Sequence, residues 1–194
     1  NGYGRQTNPQ LGRRAVFSFT AVSSCGTSTA ESLPCMFRPF GRRGPDTDDL
    51  RQYESLLDVA QRAGLQVTWL DNNSGCKGVC AGVESHQQGS HGPAYFRRYP
   101  PEFGQFTPAC ATDALLGCSR EEIRNAYDNT ILYTDHVLSR LIDLLDAQQD
   151  RYDSAMLYVS DHGESLGENG LYLHGMPYRI APEAQTHVPM IYWM

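Results

Sequence analysis

The sequence predicts an α/β sandwich with a central, mainly parallel sheet flanked by helices. Helix and strand patterns alternate along residues 48–159, which is the order expected of parallel strands joined by crossover helices. Polar residues follow both predicted strands directly, at the strand ends where ligands bind in open parallel sheets. A length of 194 residues is enough for one such domain to bury a core.

The first predicted helix and strand lie within residues 48–70. The apolar residues of 48–63 recur at helical spacing, namely Leu50, Tyr53, Leu56, Leu57 and Ala60. Gly64 is placed to end this helix. Residues 65–70 then alternate in polarity around the β-branched Val67 and Thr68, which predicts a strand.

The second predicted helix and strand have clearer sequence signals than the first. Ser119 and Glu122 have the spacing of a capping box, which predicts a helix that begins there and runs to about Gln149. Its apolar stripe contains Ile123, Tyr127, Ile131, Thr134, Leu138, Leu141 and Leu145. Residues 155–159 are continuously apolar, which predicts a strand buried on both faces.

Composition and charge exclude several classes of protein. Hydrophobic residues make up 40 % and charged residues 20 %, which excludes disordered, collagen-like and coiled-coil chains. The net charge of −6 argues against nucleic-acid binding, since few cations could replace condensed counterions. No apolar run approaches the roughly 18 residues that cross a bilayer. Both ends lack a cap or tail, so we expect a fragment of a longer protein, incomplete at both ends.

The six cysteines fall into three neighbouring pairs. The pairs are Cys25 with Cys35, Cys76 with Cys80, and Cys110 with Cys118. Short loops rich in Gly, Pro and Ser favour pairing between neighbours, which implies an oxidising compartment. A zinc site is the alternative, because Cys76-x3-Cys80 has ligand-like spacing.

A candidate metal site follows the strand at 155–159. Asp161, His162, Gly163 and Glu164 come in succession, and a carboxylate with an imidazole suits zinc or manganese. The ordinary alternative is that Asp161 caps a turn and His162 makes a structural hydrogen bond.

Hydroxyl side chains crowd residues 23–32, between Cys25 and Cys35. Most such loops are turns and helix caps. A hydroxyl is a poor nucleophile unless a base or a metal lowers its pKa, and a divalent cation held by Asp161 and His162 could activate one of these hydroxyls.

These motifs resemble the periplasmic domain of lipid A phosphoethanolamine transferases, a family of the alkaline phosphatase and sulfatase superfamily that includes enzymes of colistin resistance. The likeness runs from end to end and predicts that residues 1–194 are a partial sulfatase-like catalytic domain. The matching segments are residues 1–9, 24–30, 34–37, 71–74, 90–96, 126–129 and 160–170.

The resemblance implies a role for each matching residue. Thr29 corresponds to the nucleophile, and Thr29, Asp161 and His162 correspond to zinc ligands. The substrate-binding positions would be His91, His174, Thr27, Ser28, Asn73 and Lys77, with one zinc or two as cofactor. His91 and His174 would bind the substrate phosphate or a second zinc. The family's disulfides agree with the neighbour pairing.

The implied reaction moves phosphoethanolamine from phosphatidylethanolamine to a lipid A phosphate. It takes place at the membrane surface, on the periplasmic face of the bacterial inner membrane. The resemblance also implies a monomer that binds no nucleic acid. A membrane-spanning portion of full-length members is absent from this sequence.

Two departures from the family leave an alternative open. The family's remaining zinc ligand, a glutamate, would precede Asn1, and only residues 84–89 stand where members carry an additional strand-forming segment. The alternative is therefore a truncated, catalytically inactive relative or a disulfide-stabilised binding module. A hydrolytic sulfatase or phosphatase is a weaker reading, because residues 24–30 lack the sulfatase modification motif.

Overall fold

The computed structural model describes residues 3–44, 53–70, 75–80 and 92–194. The α-helices in these ranges are α1 (Thr29–Phe37), α2 (Leu56–Arg62), α3 (Arg120–Asp146) and α4 (Glu183–Thr186). The strands are β1 (Phe17–Phe19), β2 (Met156–Val159), β3 (Ser165–Leu166), β4 (Tyr172–Leu173) and β5 (Met190–Trp193). Single turns of 3₁₀ helix lie at Leu11–Arg13, Gly41–Arg43, Tyr95–Arg97, Pro101–Phe103, Leu115–Gly117 and Glu168–Gly170.

The larger sheet brings two chain segments to one edge. Its order is β1-β5-β2, and β5 is antiparallel to both neighbours. Phe19 at the end of β1 and Val159 at the end of β2 both pair with Met190. The segments that follow β1 and β2 therefore leave the sheet at the same edge.

The expected mainly parallel sheet is not found among the described strands. Both pairings in the larger sheet are antiparallel, and β3 and β4 form a separate antiparallel pair. The chain returns from β2 to β5 through this hairpin and α4, so no crossover helix is needed. Residues 65–70, predicted as a strand, form no strand in the structure.

Helix α3 confirms the better-marked prediction and organises the core. Ser119 caps it, and the Ser119 and Glu122 side chains make the reciprocal bonds of a capping box. Two apolar clusters pack along it. One contains Leu11, Leu138, Ile142, Met156 and Trp193. The other contains Tyr95, Cys110, Leu115, Ile123 and Ala126. Strand β2 is buried on one face only, since Met156 is 6 % exposed whereas Leu157 is 58 % exposed.

Two buried carboxylates of α3 hold the N-terminal segment. Asp135 accepts hydrogen bonds from the backbone amides of Gln10 (2.8 Å) and Leu11 (2.9 Å). Asp128 accepts from the Tyr3 hydroxyl at 2.8 Å and from Arg5 at 2.7 Å. Burial and the bond to Asp128 raise the pKa of Tyr3 to about 12.

Helix α2 is the described part of the helix predicted over 48–63, of which residues 48–52 lie outside the described ranges. It begins after Ser55, whose hydroxyl accepts from the Asp58 amide and also donates to the Val79 carbonyl at 2.9 Å. The second contact joins α2 to the turn of residues 76–80.

Three disulfides are present, with the pairing that the sequence favours. They join Cys25 to Cys35, Cys76 to Cys80, and Cys110 to Cys118, each with 5.8 Å between Cα atoms. Among the described residues, no helix combines the length and the apolar character required to cross a membrane.

Candidate active site

Thr29 is the first residue of α1, at the end of the loop that follows β1. Ser28 precedes it in extended conformation as the N-cap. The loop is folded against the helix by the hydrogen bond from the Gly26 amide to the Ser32 hydroxyl (2.8 Å) and by the Cys25–Cys35 disulfide. Thr29 is buried, and its hydroxyl lies at the positive end of the helix.

His162 faces Thr29 from the segment that follows β2. Its Nδ1 lies 2.8 Å from the Gly163 carbonyl, which can only accept, so Nδ1 carries the proton. Its Nε2 is left with a lone pair and lies 3.3 Å from the Thr29 Oγ1. The Ser160 hydroxyl donates to the His162 carbonyl at 2.7 Å and fixes this turn.

Gly163 is required by a close backbone approach. Its amide donates to the Gln185 carbonyl at 2.9 Å, and a Cβ at this position would lie only 2.1 Å from the Ala184 carbonyl oxygen. Helix α4 therefore packs directly on the backbone next to His162.

Asp161 contributes a buried carboxylate oxygen with no hydrogen-bond partner in the described part of the chain. This Oδ2 lies 3.8 Å from the His162 Nε2. The Thr29 hydroxyl can donate to the imidazole lone pair, whereas the Asp161 Oδ2 has no donor in the described part of the chain. A buried carboxylate oxygen without a donor is costly, and a cation would satisfy it. Zinc accepts this set of donors.

The described residues contain no cluster of three His, Cys, Asp or Glu side chains that could hold a metal. The Thr29 hydroxyl is the third donor beside the imidazole, and a carboxylate, an imidazole and a hydroxyl are donor types that suit zinc.

A second imidazole lies beside the first. The rings of His162 and His174 have centroids 4.1 Å apart. The His174 Nδ1 lies 3.0 Å from the Glu164 carboxylate, which is buried. The bond to Glu164 raises the pKa of His174 against the opposing effect of burial. A cationic His174 would give this end of the site affinity for an anion.

Thr27 links the α1 loop to the His174 loop. Its hydroxyl donates to the Met176 carbonyl at 2.6 Å, and its own carbonyl accepts from the Gly175 amide at 2.9 Å. The side chain is fully buried, so Thr27 positions the loop. Ser28 is half-buried, and its side chain makes no capping bond.

Of the other residues implied by the resemblance, only Lys77 lies within the described ranges. Lys77 is in the disulfide-closed turn of residues 76–80, which accepts a hydrogen bond from Arg38 at the Gly78 carbonyl (3.0 Å). That contact ties the turn to Arg38, the residue after α1. Asn73 and His91 lie outside the described residues.

Two supporting residues were not given roles by the sequence. Glu164 orients His174, and its position two residues after His162 was the only signal for it. Gln185 donates to the Ser165 hydroxyl at 2.9 Å and to the Leu173 carbonyl at 3.1 Å. Nothing in the sequence around Gln185 indicates that it holds the hairpin.

Comparisons with known proteins identify the family of this chain. The sulfatase family model matches residues 1–85 and 83–194, and its two segments meet where the sequence predicts a missing segment. The chain is 43 % identical to the phosphoethanolamine transferase EptA of Salmonella typhimurium and 40 % identical to the phosphatidylethanolamine transferase Mcr-1 of Escherichia coli. Each match covers all of this chain but 43 % and 45 % of the relative, so the chain spans less than half the length of these relatives.

A solved structure is also similar. It is the soluble domain of lipooligosaccharide phosphoethanolamine transferase A from Neisseria meningitidis, with a TM-score of 0.94 and 42 % identity. The match covers 99 % of this chain and 70 % of that domain, which gives this chain a sulfatase-like fold. The chain belongs to the sulfatase family, in the group that contains the phosphoethanolamine transferases.

Proposed function

We propose that this chain is part of the catalytic domain of an enzyme that transfers phosphoethanolamine from phosphatidylethanolamine to a lipid A phosphate, through a covalent intermediate on Thr29. The observation that carries the proposal is the 3.3 Å approach of the Thr29 hydroxyl to the His162 Nε2, beside the unpartnered carboxylate oxygen of Asp161. The names of the relatives supply the group that is transferred.

Thr29, Asp161 and His162 would hold one zinc ion. Bound there, zinc supplies a Lewis acid that lowers the pKa of the Thr29 hydroxyl. Asp161 contributes the charge that such an ion needs, and the bond from Nδ1 to the Gly163 carbonyl keeps the His162 lone pair on Nε2.

In the first displacement the Thr29 oxygen forms a bond to phosphorus, the bond to the glycerol oxygen breaks, and the Thr29 proton ends on the released diacylglycerol. His174 and the amide groups at the start of α1 would bind the phosphate oxygens. Ser28, Asn73, Lys77 and His91 stay proposed contacts to the phosphoethanolamine group, on the strength of the resemblance.

In the second displacement an oxygen of the lipid A phosphate bonds to phosphorus and the bond from phosphorus to the Thr29 oxygen breaks. A proton from the lipid A phosphate or from water restores the Thr29 hydroxyl. The product carries an added ammonium group, which lowers the negative charge of the membrane surface and weakens binding of cationic peptides such as colistin. Phosphatidylethanolamine is a membrane lipid, so we place the reaction at the periplasmic face of the inner membrane.

Mass spectrometry of the intact protein, produced in a Gram-negative host, tests the covalent step. We expect a population heavier by one phosphoethanolamine group, located on Thr29 by peptide mapping. The adduct should be lost in Thr29→Ala and kept in Thr20→Ala, a matched substitution at an exposed threonine.

A folded wild-type protein without an adduct, even after incubation with zinc and phosphatidylethanolamine, would favour the inactive relative or binding module. Release of free phosphoethanolamine in place of transfer to lipid A would identify a hydrolase.

A further inference from the structure

A groove of about 480 Å³ lies between the end of α1 and the start of α2, at the opposite end of α1 from Thr29. Its walls are mainly apolar and include Phe37 from α1 with Leu56 and Val59 from α2. Leu56 is 61 % exposed, so its apolar side chain faces solvent at this wall. The volume is in the range of small-molecule sites.

Arg38 places a buried cation in this groove. The residue is 8 % exposed and lines the groove, and its Nη2 donates to the Gly78 carbonyl at 3.0 Å. Its Nε and Nη1 are buried and make no hydrogen bond in the described part of the chain. Buried guanidinium donors are costly to leave unsatisfied, so this arrangement favours an anionic ligand.

The nearby carboxylates are already engaged. Glu54, which also lines the groove, pairs with Arg62 at 2.7 Å. Asp58 accepts from the Ser55 amide at 2.7 Å. In the described part of the chain neither carboxylate forms an ion pair with Arg38, although the Arg38 charge adds to the bonds from Ser55 that lower the pKa of Asp58. The Nε and Nη1 donors of Arg38 stay available to a ligand.

We propose that this groove binds a small anionic amphiphile, with its phosphate or carboxylate head on Arg38 and its apolar chain along Phe37, Leu56 and Val59. A buried guanidinium and an apolar wall among the lining residues suit this class of ligand. The site is independent of Thr29, so its test does not depend on the transferase activity.

Isothermal titration of the whole chain with octyl phosphate tests the proposal, with octanoate as the carboxylate-headed probe. We expect saturable binding of one molecule of either probe. Inorganic phosphate has no chain and octyl glucoside has no charge, so each should bind at least about tenfold more weakly.

Substitution separates the two halves of the site. Arg38→Met should weaken octyl phosphate at least about tenfold, whereas Arg140→Met, at an exposed arginine of α3, should leave the affinity unchanged. Leu56→Gln should weaken the binding of octyl phosphate but not that of inorganic phosphate. Because this variant retains Arg38, it still tests the site if Arg38→Met does not fold. Absence of saturable binding, equal binding of octyl glucoside, or full affinity in Arg38→Met or Leu56→Gln would each overturn the proposal.

Discussion

The Nε2 nitrogen of His162 lies 3.3 Å from the Oγ1 oxygen of Thr29, although the two residues are 133 positions apart in sequence. The sheet explains this approach, because Phe19 and Val159 pair with the same residue of β5 and so end at one edge. The loop before α1 and the turn after β2 then meet at that edge.

Replacement of Asp161 should separate metal binding from folding. In the metal-free protein the buried Oδ2 has no described partner, so Asp161→Asn should leave the free energy of unfolding unchanged or slightly raised. Zinc at a hundred times its dissociation constant should raise the free energy of unfolding of the wild-type protein by about 2.7 kcal/mol, and that of the variant by far less. Thermal unfolding with and without zinc measures the effect of the substitution and the effect of zinc. Equal stabilisation of both proteins by zinc would show that Asp161 is not a zinc ligand.

Gly163→Ala should displace His162. The new Cβ would lie 2.1 Å from the Ala184 carbonyl oxygen. Because that oxygen belongs to the main chain, the turn that contains residue 163 must move. We expect zinc affinity at least about tenfold lower, as for loss of a ligand's supporting contact. Gly12→Ala is the control, because its added Cβ meets nothing within 4 Å. Unchanged zinc affinity in Gly163→Ala would show that the His162 turn tolerates the shift.

The pKa of His174 depends on Glu164. The folded-state pKa is raised by the bond to Glu164, so protonated His174 stabilises the fold below its unfolded pKa of about 6.5. That contribution is lost as pH rises through the folded pKa. An NMR titration of the chelator-treated protein should show a His174 pKa above the ordinary value, and Glu164→Gln should lower it. The same pKa in both proteins would mean that Glu164 does not control this charge.

Asp135→Asn should loosen the N-terminal segment. The buried carboxylate accepts from two backbone amides, and an amide side chain brings unwanted donors to this position. We expect a loss of about 2 kcal/mol in the free energy of unfolding, measured by urea titration. Asp146→Asn, at the exposed end of α3, should change it by less than about 0.5 kcal/mol. Equal effects of the two substitutions would argue against the anchoring role of Asp135.

Features that depend on residues close together in the sequence could be predicted. The capping box of Ser119 and Glu122 depends on neighbours three residues apart, and the disulfides close short loops, so both could be predicted. Strand direction depends on how distant segments pair. Nothing local to residues 156–159 or 190–193 indicates that they run antiparallel, and residues 65–70 have strand composition without a strand.

The resemblance predicts that Thr29, Asp161 and His162 act together as zinc ligands, and this stays a prediction. In the structure the His162 Nε2 lies 3.3 Å from the Thr29 Oγ1 and 3.8 Å from the Asp161 Oδ2. The buried role of Thr27 was not predicted, because its partner is a main-chain carbonyl 149 positions away. Every residue has a main-chain carbonyl, so the residue type of the partner does not indicate such a contact.

The most direct test of the account is a crystal structure of this chain grown with zinc, with anomalous scattering recorded at the zinc edge. We expect a peak at bonding distance, about 2.0–2.2 Å, from the Thr29 Oγ1, the Asp161 carboxylate and the His162 Nε2. A fully occupied zinc bound elsewhere, with these three groups left uncoordinated, would contradict it.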